Sequence, residues 1–115
     1  FFCEVIGSKG DMVDTLFADF RNRLNSAKKL KSKNFIPAIA IHSPYSVHPF
    51  LVRETLNLAR AENLAVSSHF LESPEEFAWL HKDEGSFLDF FKNFLGQEKA
   101  VSTPMEFLNL FSIVV

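Results

Sequence analysis

Short apolar runs alternate with helix-forming stretches along this chain, and only a few residues join one to the next. A strand that must wait for a helix before the next strand begins returns in the same direction, so the pattern predicts a parallel α/β sheet. The first run is Phe1 to Ile6, closed by Gly7-Ser8-Lys9-Gly10. Asp11 then suits an N-cap, and Met12, Val13, Leu16, Phe17, Phe20 and Leu24 recur at helical spacing as one apolar stripe. The second run is Phe35 to His42, with Pro37 near its start because proline cannot donate to a ladder. Pro49 fits a first helical position, and Phe50 to Ala61 carries the next helical pattern. The third run is Leu64 to His69.

Beyond it, Ser73-Pro74-Glu75-Glu76 reads as an N-cap, a first-position proline and a capping-box glutamate. A helix is expected from Ser86 or Phe87 to Leu95, closed by Gly96, and Thr103-Pro104-Met105-Glu106 opens another. The last residues, Phe111 to Val115, are strand-like. The first residues lack the marks of a signal peptide, and both ends read as cut from a longer chain.

The second and third runs share a design. Ile36, Ala38, Ala40 and His42 alternate onto one face and Pro37, Ile39 and Ile41 onto the other; Ala65, Ser67 and His69 oppose Leu64, Val66 and Ser68. Each strand therefore presents a mostly small face that ends in histidine. In a closed parallel barrel the bulky face meets the outer helices, and the histidines stand at the C-terminal rim where such barrels keep their active sites. The expected fold is α/β, a partial (β/α)8 TIM barrel: residues 1–115 would be an internal piece of one barrel domain, with no second domain.

Composition excludes several alternatives. Lys and Arg number 12 against 14 Asp and Glu, a formal net charge of −2, which offers no surface for a polyanion. Lys28, Lys29, Lys31 and Lys33 cluster where the first helix should end and complement its dipole. No nucleic-acid or membrane partner is expected, since no apolar run approaches the ~20 residues that span a bilayer. Cys3 is the single cysteine, so an internal disulfide is impossible and a reducing, cytoplasmic setting is expected.

The candidates for chemistry are histidines and carboxylates. His69 and Glu72 lie three residues apart, so they meet only if the strand has ended by Glu72, and Ser73-Pro74 marks that turn. A neutral imidazole at a strand end can hold a divalent metal, and a neighbouring carboxylate can carry protons. Taken alone, such a pair is more often structural than functional, and His42 alone is as readily a rim histidine bonded to backbone. His48, before Pro49, belongs near a helix start, and His81 sits in the solvated stretch His81-Lys82-Asp83-Glu84. Glu4 either reaches into an active site or pairs in an outer layer. Zinc-protease, Cys-x-x-Cys, nucleophile-elbow and phosphate-loop motifs are absent.

Ile41-His42-Ser43-Pro44-Tyr45-Ser46-Val47, followed by Ser68-His69-Phe70-Leu71-Glu72-Ser73, resembles the amidohydrolase superfamily. The likeness is to the branch of adenosylhomocysteine deaminases, triazine chlorohydrolases and guanine deaminases, and within it to the aminofutalosine deaminases of menaquinone biosynthesis; it covers about Phe1 to Phe111. It implies strands three to five of the barrel. It also implies that His69 is a metal ligand, that Glu72 shuttles protons between water and the purine ring, and that His42 contacts substrate. The implied cofactor is a divalent metal, zinc or iron, and the implied reaction is hydrolytic deamination of a purine nucleoside-like small molecule, 6-amino-6-deoxyfutalosine. Adenosine, adenosylhomocysteine, guanine or triazines are the alternative substrates, and a small non-catalytic α/β binding module is the alternative of another class. The His-x-His pair, the sixth-strand histidine and the eighth-strand Asp of the family are missing from this sequence. The chain alone is therefore expected to hold a partial metal site, to be inactive, and to self-associate through its uncovered edges.

Overall fold

The computed structural model describes residues 1–112. Three strands, β1 (Phe2–Val5), β2 (Ala38–Ile41) and β3 (Val66–Ser68), form one parallel sheet in sequence order. Phe2 stands opposite Ala38, and three rows run across all three strands: Cys3, Ile39 and Val66; Glu4, Ala40 and Ser67; and Val5, Ile41 and Ser68. The helices are α1 (Val13–Lys28), α2 (Pro49–Glu62), α3 (Pro74–Lys82), α4 (Ser86–Leu95) and α5 (Pro104–Ser112), with a single 3-10 turn, Gly10–Met12, ahead of α1.

The bulky strand face is the buried one. Cys3, Val5, Ile39 and Ile41 pack into one core with Phe20 and Leu24 of α1 and Leu51, Val52 and Leu56 of α2. The opposite face keeps Glu4 and Ser67 exposed and Ala40 half-buried. The division read from alternation therefore holds in the middle of the sheet, because period-two geometry leaves each residue only one face to take. At its margins, Ala38 on the small face is buried as well and Ser68 on the bulky face is exposed. A second cluster, Trp79, Leu80 and Phe91, joins α3 to α4 under Tyr45, and the Trp79 and Phe91 rings stack 5.2 Å apart.

Local capping chemistry sets most helix starts. Ser73 Oγ accepts the Glu76 N–H, with Pro74 in the first helical turn. Thr103 and Glu106 exchange backbone-to-side-chain bonds at the head of α5, a reciprocal capping box. Gly96 closes α4 at φ 64, a left-handed position that glycine occupies without a Cβ penalty. Two expectations fail. Asp11 lies inside the 3-10 turn, so the N-cap of α1 is Met12, which makes no side-chain cap bond. Phe111 and Ser112 are helical rather than strand, because α5 propagates from its capping box and seats Phe107 in the core, with the Phe111 ring 5.2 Å away. The remainder of that expected strand, 113–115, lies outside the described residues.

Candidate active site

His42 and His69 are the residues that directly follow β2 and β3. The ladder continues through them: the His42 N–H donates to the Val5 carbonyl, and the His69 N–H donates to the His42 carbonyl. Adjacent parallel strands thus deliver both imidazoles to one edge, with ring centroids 6.3 Å apart at 74°. They share the wall of a small cavity of 160 Å³ with Glu4, Ala40 and Ser67. Glu4 accordingly belongs to the open face beside the histidines and not to the helix-covered layer.

His42 is held by its own turn. Its Nδ1 lies 2.5 Å from Ser46 Oγ and 3.2 Å from Ser43 Oγ, and the two hydroxyls are 2.7 Å apart. Ser43 is fully buried, and the Tyr45 ring meets the imidazole edge-on at 5.8 Å. With Nδ1 engaged by the two hydroxyls, the orientation of the ring is set. His42 also lines a larger apolar cleft of 460 Å³, walled by Ile6, Met12, Leu16, Tyr45, Phe90 and Leu95.

The turn after β3 brings Glu72 back toward His69, so that its Oε2 lies 3.7 Å from His69 Nδ1. Both side chains are more than half in solvent or close to it, at 68% and 50% exposure. An ion pair at that exposure contributes little to stability, so the pairing has to be weighed for its chemistry. The turn depends on Leu71 at φ 50, a left-handed conformation that is uncommon for a leucine. His69, Glu72 and His42 are therefore brought to one corner of the sheet, as the sequence reading expected.

The other histidines are elsewhere. His48 caps α2, its Nδ1 accepting the Phe50 N–H at 3.1 Å, and burial pushes its pKa below the ordinary histidine value. His81 is exposed in the last turn of α3 and stacks on Phe77. Among the described residues no group of three or more His, Cys, Asp or Glu could hold a metal ion. Two features escaped the sequence reading, the Ser43–Ser46 clasp and the buried carboxylate of Glu76. The only hint of the first was a pair of serines in the turn after His42.

Comparison with known proteins gives this corner a context. No protein-family model matches the chain. Over 111 residues it is 44% identical to the aminodeoxyfutalosine deaminase of a Nitratiruptor species, a stretch that is 96% of this chain and 27% of that protein. Its backbone superimposes on the crystal structure of Helicobacter pylori aminofutalosine deaminase with a TM-score of 0.85 at 27% identity, covering 96% of this chain and 28% of the other. Over nearly its whole length the chain is similar to a stretch of these aminofutalosine deaminases. The same H. pylori enzyme in complex with methylthio-coformycin matches at a TM-score of 0.86 and 27% identity, over 96% of this chain and 27% of that one. H. pylori adenosine deaminase is 35% identical over 94 residues, 82% of this chain and 22% of that protein. This aminofutalosine deaminase-like chain spans about a quarter of the length of the curated relatives it matches.

Proposed function

We propose that the protein to which this chain belongs removes an amino group hydrolytically from a purine nucleoside-like substrate, 6-amino-6-deoxyfutalosine in the favoured reading. His69, Glu72 and His42 are the residues this stretch contributes to the site: a metal ligand, a proton carrier and a substrate contact. The observation that carries the reading is the Glu72 carboxylate 3.7 Å from His69, beside a His42 whose Nδ1 is already clasped. The 44% identity to an aminodeoxyfutalosine deaminase supports the substrate. The methylthio-coformycin bound by the structural neighbour, a nucleoside-like inhibitor, supports the broader substrate class. Adenosine is the second reading, favoured by the 35% identity to an adenosine deaminase.

In the reaction, water adds to the ring carbon that bears the amino group. Glu72 takes a proton from that water and delivers it toward the leaving nitrogen, and ammonia departs. His42, fixed through Nδ1, orients the ring by its other nitrogen. A divalent ion such as zinc or iron, when bound, makes hydroxide available near neutral pH. The described residues do not by themselves fit such an ion: one imidazole and one carboxylate fall short of the three protein ligands that catalytic zinc sites use. The missing ligands would come from other parts of a (β/α)8 barrel in which β1, β2 and β3 are the third to fifth strands, all in one domain. The 115-residue chain alone is accordingly inactive. Cys3, free and buried, suits a reducing cytoplasm, and among the described residues no helix is long and apolar enough to cross a membrane.

The test is ammonia release by the full-length protein from 6-amino-6-deoxyfutalosine, adenosine, S-adenosylhomocysteine, guanine and an aminotriazine, with Glu72→Gln alongside. Turnover of the first, reduced about 10²- to 10⁴-fold in the variant as expected for loss of a general acid–base group, is the expected result. Silence on the whole panel, or a fully active Glu72→Gln enzyme, refutes the reading.

A further inference from the structure

Glu76 is fully buried, yet it is not spent on the helix it begins. It occupies the third position of α3, where a capping-box glutamate would reach back to the N–H of the N-cap residue, here Ser73. Its carboxylate goes further back. Oε2 accepts the Leu71 N–H at 2.9 Å and Oε1 accepts the Glu72 N–H at 3.3 Å. These are the two residues of the turn that returns Glu72 to His69, and one of them is the leucine held at φ 50. We infer that Glu76 is a positioning residue for Glu72: a buried carboxylate on α3 that fixes the backbone from which the proton-carrying side chain projects.

Three observations converge on this role. Backbone strain at Leu71 persists only where surroundings over-determine it, and both the Glu76 carboxylate and the packing of Leu71 on the Trp79–Phe91 cluster do so. Phe70, on the other side, packs on the main core and stacks 6.1 Å from Phe107, so the turn is pinned before and after the strained residue. Hydrogen bonds to a charged acceptor are about twice as strong as neutral ones, and the head of α3 adds its positive dipole end to the same carboxylate. Glu72 meanwhile stays half exposed, with its side chain free of this network and available to a substrate. A carboxylate placed for helix capping alone would not need burial or a reach past its own N-cap residue.

The inference rests on Glu72 being the proton carrier, and its test separates the two claims. The full-length enzyme is compared with Glu72→Gln, Glu76→Gln and Ser73→Ala, measuring kcat and KM on the panel substrate that is turned over, and Tm. Ser73→Ala removes the cap of the same helix and leaves the Glu76 bonds intact, so it reports a purely structural loss. Glu76→Gln keeps the shape but can accept only one of the two N–H groups. A displacement near 1 Å at a reacting group costs about 10²-fold, so Glu76→Gln is expected to lower kcat by about 10- to 100-fold with KM within about twofold. Ser73→Ala is expected to lower Tm at least as much, with kcat near wild type. Wild-type kcat in Glu76→Gln beside an inactive Glu72→Gln overturns the positioning role and leaves the functional reading standing. An equal kcat loss in Ser73→Ala at equal Tm loss also overturns it, and an active Glu72→Gln enzyme removes both claims. Should Glu76→Gln fail to fold, amide hydrogen exchange on the wild type decides. The Leu71 and Glu72 N–H groups must then be protected far above other exposed-loop amides, and exchange at open-loop rates overturns the inference.

Discussion

The clasp on His42 makes a quantitative prediction because it is a closed triangle. Three contacts link His42 Nδ1, Ser43 Oγ and Ser46 Oγ, at 2.5, 2.7 and 3.2 Å. Nδ1 either donates or accepts and each hydroxyl has one hydrogen, so the triangle holds two full hydrogen bonds, which the shorter contacts assign to Nδ1–Ser46 and Ser43–Ser46. Ser46→Ala removes both, Ser43→Ala removes one, and the double variant removes the same two. With about 1 kcal/mol net for each hydrogen bond, the expected losses are about 2, about 1 and about 2 kcal/mol. Simple additivity would give about 3 kcal/mol, so the cycle carries a coupling of about 1 kcal/mol, above the ~0.3–0.5 kcal/mol scatter of independent sites. Urea unfolding of the full-length protein and its three variants measures it. In the same samples KM should rise with each serine lost, since an imidazole without its clasp samples other rotamers. A double variant that equals the sum of the singles, with KM unchanged throughout, would refute both the triangle and the role given to it.

Further perturbations test other layers. Ile39→Ala, at a fully buried position in the middle of β2, should destabilise by about 2–5 kcal/mol in the same urea assay; less than 1 kcal/mol would mean the bulky strand face is not the core. His48 caps α2 as a neutral acceptor, and burial lowers its folded pKa below the unfolded value near 6.5. Its contribution is therefore complete above about pH 6.5 and is lost as pH falls through the depressed folded value, because the unfolded chain takes the proton more readily. His48→Asn, which keeps a cap without the titration, should flatten that part of the stability–pH curve, and an unchanged curve would show that His48 is not its source. The 115-residue chain after zinc loading should hold well below one equivalent by elemental analysis and should self-associate in sedimentation. A full equivalent lost on His69→Ala, or a single sharp monomer boundary, would contradict the partial-site reading.

Much of this protein was legible in one dimension because the information was local. Alternation assigned Ile39 and Ile41 to the core and His42 to the other face, since period-two geometry allows no third choice. Ser73-Pro74, Thr103 through Glu106, Pro49 and Gly96 announced helix ends because caps act within a single turn of chain. The spacing of His69 and Glu72 foretold their meeting for the same reason: three residues and a turn suffice. The C-terminal apolar residues misled, because Phe111 suits a strand by propensity while the helix begun at Thr103 and anchored by Phe107 carried it along. Asp11 misled in the same way, since a 3-10 turn displaced the helix start by a residue.

Other features existed only once the chain had closed on itself. Which side Glu4 would take depended on the pairing of β1 with β2. The 6.3 Å approach of His42 to His69, 27 positions apart in the chain, came from parallel register. Glu76 read as an ordinary helix cap until the fold set the Leu71–Glu72 turn over it and sealed it from water. Propensity and periodicity act along the chain over a few residues, while register and burial depend on what lies across it.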